Sequence, residues 1–167
     1  MGFAESVRTC FRRYATFSGR ASRSEFWWWV LFVVGMSVVL GLADRMLFGA
    51  DPVTGRAPRR LSGVFNLLVL LPWLAVAFRR MHDSGRPGWY YFAPLLVSVG
   101  LMFVLLSGIV IATATDVDPT GVSLLVGGVG AAATMVIHLC MVVLMIWWLT
   151  RPSDPGENRY GPPPVPR

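Results

Sequence analysis

The stretch Arg79-Arg80-Met81-His82-Asp83-Ser84-Gly85-Arg86-Pro87-Gly88-Trp89 sets three arginines, a histidine and an acid close together. A histidine with a carboxylate is a common acid–base pair. Adjacent residues, however, point apart on a helix or strand, so His82 and Asp83 do not orient each other. No serine or cysteine nucleophile stands in motif context, and Ser84 is merely a neighbour. His82 and His138 belong to different segments, so no metal-ligand set forms and no cofactor is indicated. The guanidinium forks carry more meaning, because they match carboxylate and phosphate oxygens bidentately. The stretch therefore points to ion pairing or anion binding before catalysis.

Two other polar stretches resemble it in composition. Gly19-Arg20-Ala21-Ser22-Arg23-Ser24-Glu25 contributes Arg20, Arg23 and Glu25, and the segment from Arg151 to Gly161 contributes Asn158 and Arg159. What brings these stretches together is the apolar chain between them. Hydrophobic residues make up 54% of the sequence and its mean hydropathy is +0.57, too apolar for a soluble domain of 167 residues. Four long runs lack charge, giving spans at about 26–43, 61–78, 90–113 and 123–149. The first 24 residues read as an interfacial helix plus a polar motif. Phe3, Val7, Cys10, Phe11, Tyr14 and Phe17 recur at helical spacing opposite Arg8, Arg12 and Arg13. Residues 25–150 form the four-span domain, and 151–167 form a Pro- and Gly-rich tail expected to be extended or partly disordered. The fold class is thus an all-α membrane protein, a four-transmembrane-helix bundle with an N-terminal interfacial amphipathic helix.

Several residues inside the runs carry specific expectations. Trp27, Trp28, Trp29, Trp89, Trp147 and Trp148 are placed as interfacial anchors. Gly35 and Gly41 are sites for close helix packing, as is the small-residue stripe Ser123, Gly127 and Ala131. Pro72 kinks the second span and frees a carbonyl, and Asn66 needs a partner on another helix. His138 is a lone interhelical donor, and Cys140 a small buried hydrophobe. A broken start is expected at Pro94, and a tight turn at Asp116–Gly121.

Four spans put both termini on one side. That side carries eleven arginines against four on the other, and there is no lysine. The excess places both termini and the Arg79–Trp89 stretch in the cytoplasm of a multi-pass cytoplasmic (inner) membrane protein. The net charge of +6 follows the flanks of the apolar runs, so it reads as topology and anionic-lipid contact and not as nucleic-acid binding.

The three polar stretches, in this order and spacing, resemble the opening, central and closing motifs of the DUF805 family of small bacterial inner-membrane proteins. Leucine is commoner in that family where Met81 stands here. The resemblance covers roughly residues 11–163. It implies a multi-span inner-membrane protein and no activity, since the family is named for unknown function.

The favoured reading is non-enzymatic. Arg20, Arg23, Glu25, Arg79, Arg80, His82, Asp83, Arg86, Asn158 and Arg159 form either a structural clasp or an anion site. In the clasp, Glu25 pairs with Arg79 or Arg80, and Asp83 with Arg20, Arg23 or Arg159. In the anion site, Gly85 and Gly88 let backbone N–H groups approach a phosphate or lipid headgroup. The partners are the bilayer and its anionic headgroups, with a protein partner (through the Pro-rich end) or a homo-oligomer left open. Two other classes stay in view: a lipid-headgroup enzyme using His82 and Asp83, and a small transporter using Asn66, Pro72 and His138.

Overall fold

The computed structural model describes residues 1–114, 121 and 130–164. The Asp116–Thr120 part of the expected turn, Ser123 and Gly127 of the small-residue stripe, and the first part of the fourth apolar run lie outside them. Within the described residues the chain is all-α: α1 (Phe3–Arg12), α2 (Arg23–Phe48), α3 (Leu61–Asp83), a 3₁₀ turn at Gly88–Phe92, α4 (Ala93–Ala114) and α5 (Ala131–Thr150). Four helices are long and apolar enough to cross a membrane: Arg23–Phe48, Leu61–Asp83, Gly88–Val110 and Ala131–Thr150. The expected break near Pro94 is the change from 3₁₀ to α geometry just before it.

Two helices overrun their apolar stretches, α2 at both ends and α3 at its C-terminal end. α2 starts three residues before the apolar run and continues through Asp44 and Arg45. The loss of hydropathy marks the edge of the hydrocarbon, whereas the helix stops only where its backbone is capped. Ser22 supplies the N-terminal cap, accepting the Glu25 N–H at 3.2 Å. α3 likewise runs on to Asp83, so Arg79, Arg80, His82 and Asp83 sit on its last turn and not in a loop.

The chain divides into two compact units, residues 1–88 with 151–167, and residues 89–150. In the first, α2 packs on α3 and α1 packs on α2. Phe11 meets Trp29 and Phe32 edge-on, and Phe3 meets Trp28. Trp29 is fully buried, so it belongs to the core and is no interfacial anchor; Trp27 and Trp28 stay exposed. Its place three residues into the apolar run puts it on the α2 face that receives Phe11. Cys10 is buried too. Burial, with the Glu25 carboxylate, pushes its thiol up to about 12 against the pull of the Arg79 guanidinium, so it stays neutral. Cys140 is exposed, against the expectation of burial. A Cβ at Gly35 or Gly41 would meet only open space, so these glycines permit no close helix contact here.

The polar groups inside the α2–α3 pair are matched. Asn66 accepts from the Ser37 hydroxyl at 2.8 Å across the two helices. Pro72 leaves the Leu68 carbonyl, four residues earlier, without its helical N–H, and the Tyr14 hydroxyl donates to that carbonyl instead. Asp44 is buried and takes the first N–H groups of α3, Leu61 at 2.8 Å and Ser62 at 3.0 Å, together with the Ser62 hydroxyl at 2.7 Å. α3 has no side-chain cap of its own, so Asp44 caps it from another helix.

In the second unit α4 packs on α5. Tyr90 lies against Trp148, and Ser98 Oγ is 2.7 Å from His138 Nδ1. The Ser98 hydroxyl also donates to the Pro94 carbonyl at 2.8 Å. A serine has one proton to give, so His138 donates to Ser98, the interhelical role expected of it.

Candidate functional site

The last turn of α3 is where the three polar stretches meet. Asp83, Arg79 and Arg80 are fully buried, and Arg20 and Glu25 nearly so. Charges at this depth are stable only when paired and hydrogen-bonded. Arg20 Nε donates to Asp83 Oδ1 at 2.9 Å. Its Nη1 donates to the carbonyls of Gly156 at 2.6 Å and Gly161 at 3.4 Å. Its Nη2 donates to the carbonyls of Asp154 at 2.6 Å and Asp83 at 3.4 Å. A guanidinium has five N–H donors, and the chain supplies an acceptor for each.

Arg80 completes the other side of Asp83. Its Nη1 pairs with Asp83 Oδ2, and its Nη2 donates to the Arg151 carbonyl. The Ser153 hydroxyl donates to the same Asp83 oxygen. One carboxylate thus holds two arginines, and four backbone carbonyls of the tail (Arg151, Asp154, Gly156 and Gly161) accept further donors of the same pair. Arg79 pairs separately with Glu25 at 2.6 Å, while its Nε and Nη2 have no hydrogen-bond partner. The Arg79 carbonyl accepts the Ala21 N–H at 3.0 Å, which seats the opening motif against α3.

His82 does different work. Its Nδ1 is 3.1 Å from the Gly19 carbonyl, an acceptor, so Nδ1 carries the proton. Its ring stacks flat on Tyr160, with centroids 3.8 Å apart. Asn158 donates to the His82 carbonyl at 3.0 Å and to Asp154 Oδ2 at 3.2 Å, and the Asp154 N–H donates to the Asp83 carbonyl at 3.0 Å. The tail from Arg151 to Gly161 is therefore folded onto the end of α3, turning back on itself where Asn158 and Gly161 exchange hydrogen bonds. That corrects the expectation of a loose tail. Its Gly and Pro content reflects tight turns, and its carbonyls are recruited by arginines distant in sequence.

Not every expected member joins. Arg23 is exposed, and Asp83 pairs with neither Arg23 nor Arg159. Arg159 is exposed and lies over the Tyr160 ring at 4.7 Å. Arg86 folds back on the Ser84 carbonyl at 3.0 Å. The two glycines are needed for close packing and backbone conformation. A Cβ on Gly88 would lie 2.3 Å from the Phe78 ring, and Gly85 has φ +71° with Asp154 Oδ2 2.9 Å from where its Cβ would be. His82 and Asp83 face separate partners, and Asp83 has both oxygens occupied. Among the described residues, no group of histidine, cysteine and acid side chains could hold a metal ion. Of the expected anchors other than Trp29, Trp89 and Trp147 are exposed and Trp148 is half-buried.

The sequence assigns no polar role to Asp44 or Ser153, and places Tyr14 only on the apolar face of the N-terminal helix. The i−4 rule at Pro72 names the carbonyl in need, and Asp44 is an acid at the end of an apolar run. Neither signal names the partner, which is distant in sequence.

These features define a class: a small α-helical membrane protein with four membrane-length helices among the described residues, whose opening motif is fastened to α3 by buried arginine–carboxylate pairs and whose tail is held by backbone carbonyls on the same arginines. The chain belongs to the DUF805 family of proteins of unknown function, whose model matches residues 14–162. It is similar to two inner membrane proteins of Escherichia coli (strain K12). YhaH is 37% identical over 94 residues, covering 56% of this chain and 75% of that one. YhaI is 32% identical over 88 residues, covering 51% and 69%. The uncharacterised protein YiiR of the same strain is 29% identical over 149 residues, covering 87% and 84%. No solved structure matches.

Proposed function

We propose that the Arg20–Asp83–Arg80 and Arg79–Glu25 pairs are a structural clasp, and that the protein is a non-enzymatic component of the cytoplasmic membrane. One observation carries this reading: all five donors of Arg20 go to acceptors of the chain itself. A guanidinium so engaged has no donor left for a ligand, which moves the balance at Arg20 from an anion site to a clasp; Arg79 joins the clasp through its pairing with Glu25 alone. The arginine excess supports a cytoplasmic location for the clasp and for both termini.

The test is Arg20→Lys. An ammonium keeps the charge but offers three donors, too few and too compact to span Asp83 and three tail carbonyls. The clasp predicts that limited proteolysis then cleaves within residues 151–161, which are protected in the parent. Equal protection in both proteins would refute it. A green fluorescent protein fused at the C-terminus should fluoresce, while alkaline phosphatase fused there should stay inactive; the opposite pattern overturns the orientation.

A further inference from the structure

The clasp uses Arg20, Arg79 and Arg80, and three arginines in and just after α1 stand outside it. Between α1 and the folded tail lies a cavity of about 730 Å³. Arg8, Arg12 and Arg13 line it from the α1 side, Arg20 and Glu25 border the clasp, and Pro162, Pro163 and Pro164 cross it from the tail. Glu5 is the other acid in the lining. Glu25 is paired with Arg79, and Arg20 shares the Asp83 carboxylate with Arg80, so neither acid of the clasp is left to oppose charge in the cavity. Among the described residues, Arg8, Arg12, Arg13 and Glu5 form no ion pair, so three guanidinium groups face the cavity against one carboxylate. Arg8 and Arg12 are four residues apart on one helix face, where like charges repel each other. An anion seated between them would relieve that repulsion.

The same helix carries a second chemistry. Phe3 and Phe11 of α1, and Trp27 and Trp28 of α2 beside it, are large aromatics left exposed. Aromatic side chains next to arginines suit the boundary between headgroup and acyl chain. The clasp also gives the cavity a fixed far wall. Tyr160 is stacked on His82, and Gly161 is held by Arg20, so the proline segment starts from an anchored point.

We infer that this cavity binds a phosphate-bearing anion through Arg8, Arg12 and Arg13. A phosphate oxygen fan matches guanidinium forks, and basic pockets beside spans take anionic headgroups. The inference rests on the clasp reading only for the tail wall. The anion donors lie on α1, outside the clasp, so the two readings fail separately.

The experiment uses the full chain in a mild detergent. Native mass spectrometry counts bound short-chain phosphatidylglycerol and phosphatidylcholine, and inorganic phosphate is titrated as competitor. Phosphatidylglycerol should bind in preference to phosphatidylcholine, and the triple variant Arg8→Gln, Arg12→Gln, Arg13→Gln should weaken that binding by roughly 100-fold. Competition by inorganic phosphate would mark a site that reads the phosphate alone. Its absence would mark one that needs the attached lipid. Equal binding of the two lipids, or unchanged binding by the triple variant, overturns the proposal. The three side chains are exposed, so proteolytic protection of the tail should stay at the parent level in that variant. Should it fall, the triple Arg→Lys variant decides, because it keeps the charge: retained phosphatidylglycerol preference supports the site and loss of it does not. Binding that survives the triple variant but disappears in Arg20→Lys would return the anion to the clasp and refute both readings.

Discussion

The two ends of the α2–α3 pair are closed by different chemistry. At one end, charges meet charges: Arg79 with Glu25, and Arg20 and Arg80 with Asp83. At the other, a single carboxylate, Asp44, meets only neutral donors, two N–H groups and a hydroxyl. Both acids are fully buried, so burial alone does not separate them. The number of elements tied does. Asp44 joins two consecutive helices, whose connection in sequence already keeps them near. Asp83 joins the opening motif, α3 and the tail, segments 63 and 70 residues away from it. Arginine suits the second task because its five donors reach several backbones at once, whereas a capping carboxylate answers one helix end.

The largest expected effect comes from Asp83→Asn. The amide keeps the shape but leaves two buried guanidinium groups without a counter-charge, and breaking a buried pair in this way costs about 3–5 kcal/mol. We expect the thermal midpoint in detergent to fall steeply and the tail to become protease-sensitive. The replacement of Glu25 and Arg79 together by leucine should be far milder than either single change, since no unpaired charge stays behind. A mild Asp83→Asn would mean that the tail carbonyls, not the carboxylate, stabilise the arginines.

Asp44→Ala comes next. Loss of a helix cap costs about 0.5–2 kcal/mol, and the lost acceptor for the Ser62 hydroxyl keeps the effect at the upper part of that range. Hydrogen exchange at Leu61 and Ser62 should speed up while the tail stays protected. If Asp44→Ala destabilised the protein as much as Asp83→Asn does, the contrast between the two ends would collapse, and both would be general buried-acid sites.

Much of this was legible in the sequence, and for identifiable reasons. Hydropathy located all four membrane-length helices. Placing their stretches at one end of the spans brought Glu25 within reach of Arg79 or Arg80, and Asp83 within reach of Arg20, Arg23 or Arg159; the choice of Arg79 and Arg20, and the second partner Arg80 on Asp83, came from the structure. The misses share a physical cause. Hydropathy measures where charge begins, so it hid the last turn of α3 inside a supposed loop. Backbone carbonyls carry no letter in the sequence, so the tail's role as acceptor for Arg20 and Arg80 was invisible, and its Gly and Pro content suggested looseness. Gly88 looked like room for a phosphate and is room for Phe78. Trp29 shares its letter with Trp27 and Trp28, and only the helix face it occupies distinguishes a core residue from exposed ones.

The smallest effects lie between the two ends and in the second unit. Ser37 with Asn66 joins α2 to α3, and Ser98 with His138 joins α4 to α5. Interhelical hydrogen bonds of this kind average about 0.6 kcal/mol in double-mutant cycles, because the separated helices also find partners. Alanine cycles on both pairs, read by thermal stability in detergent, should each return a coupling of about that size. The two pairs have different surroundings: 33% of the apolar stretch of α3 is buried within the protein, against 6% of that of α5. A group with fewer protein neighbours depends more on its one bond. His138 has the larger share of its helix's polar contact to lose, so any departure from equality should favour the Ser98–His138 cycle. A coupling several-fold larger for Ser37–Asn66 would instead place a third clasp in the middle of the α2–α3 pair, and the contrast drawn from its ends would no longer describe how the pair is held.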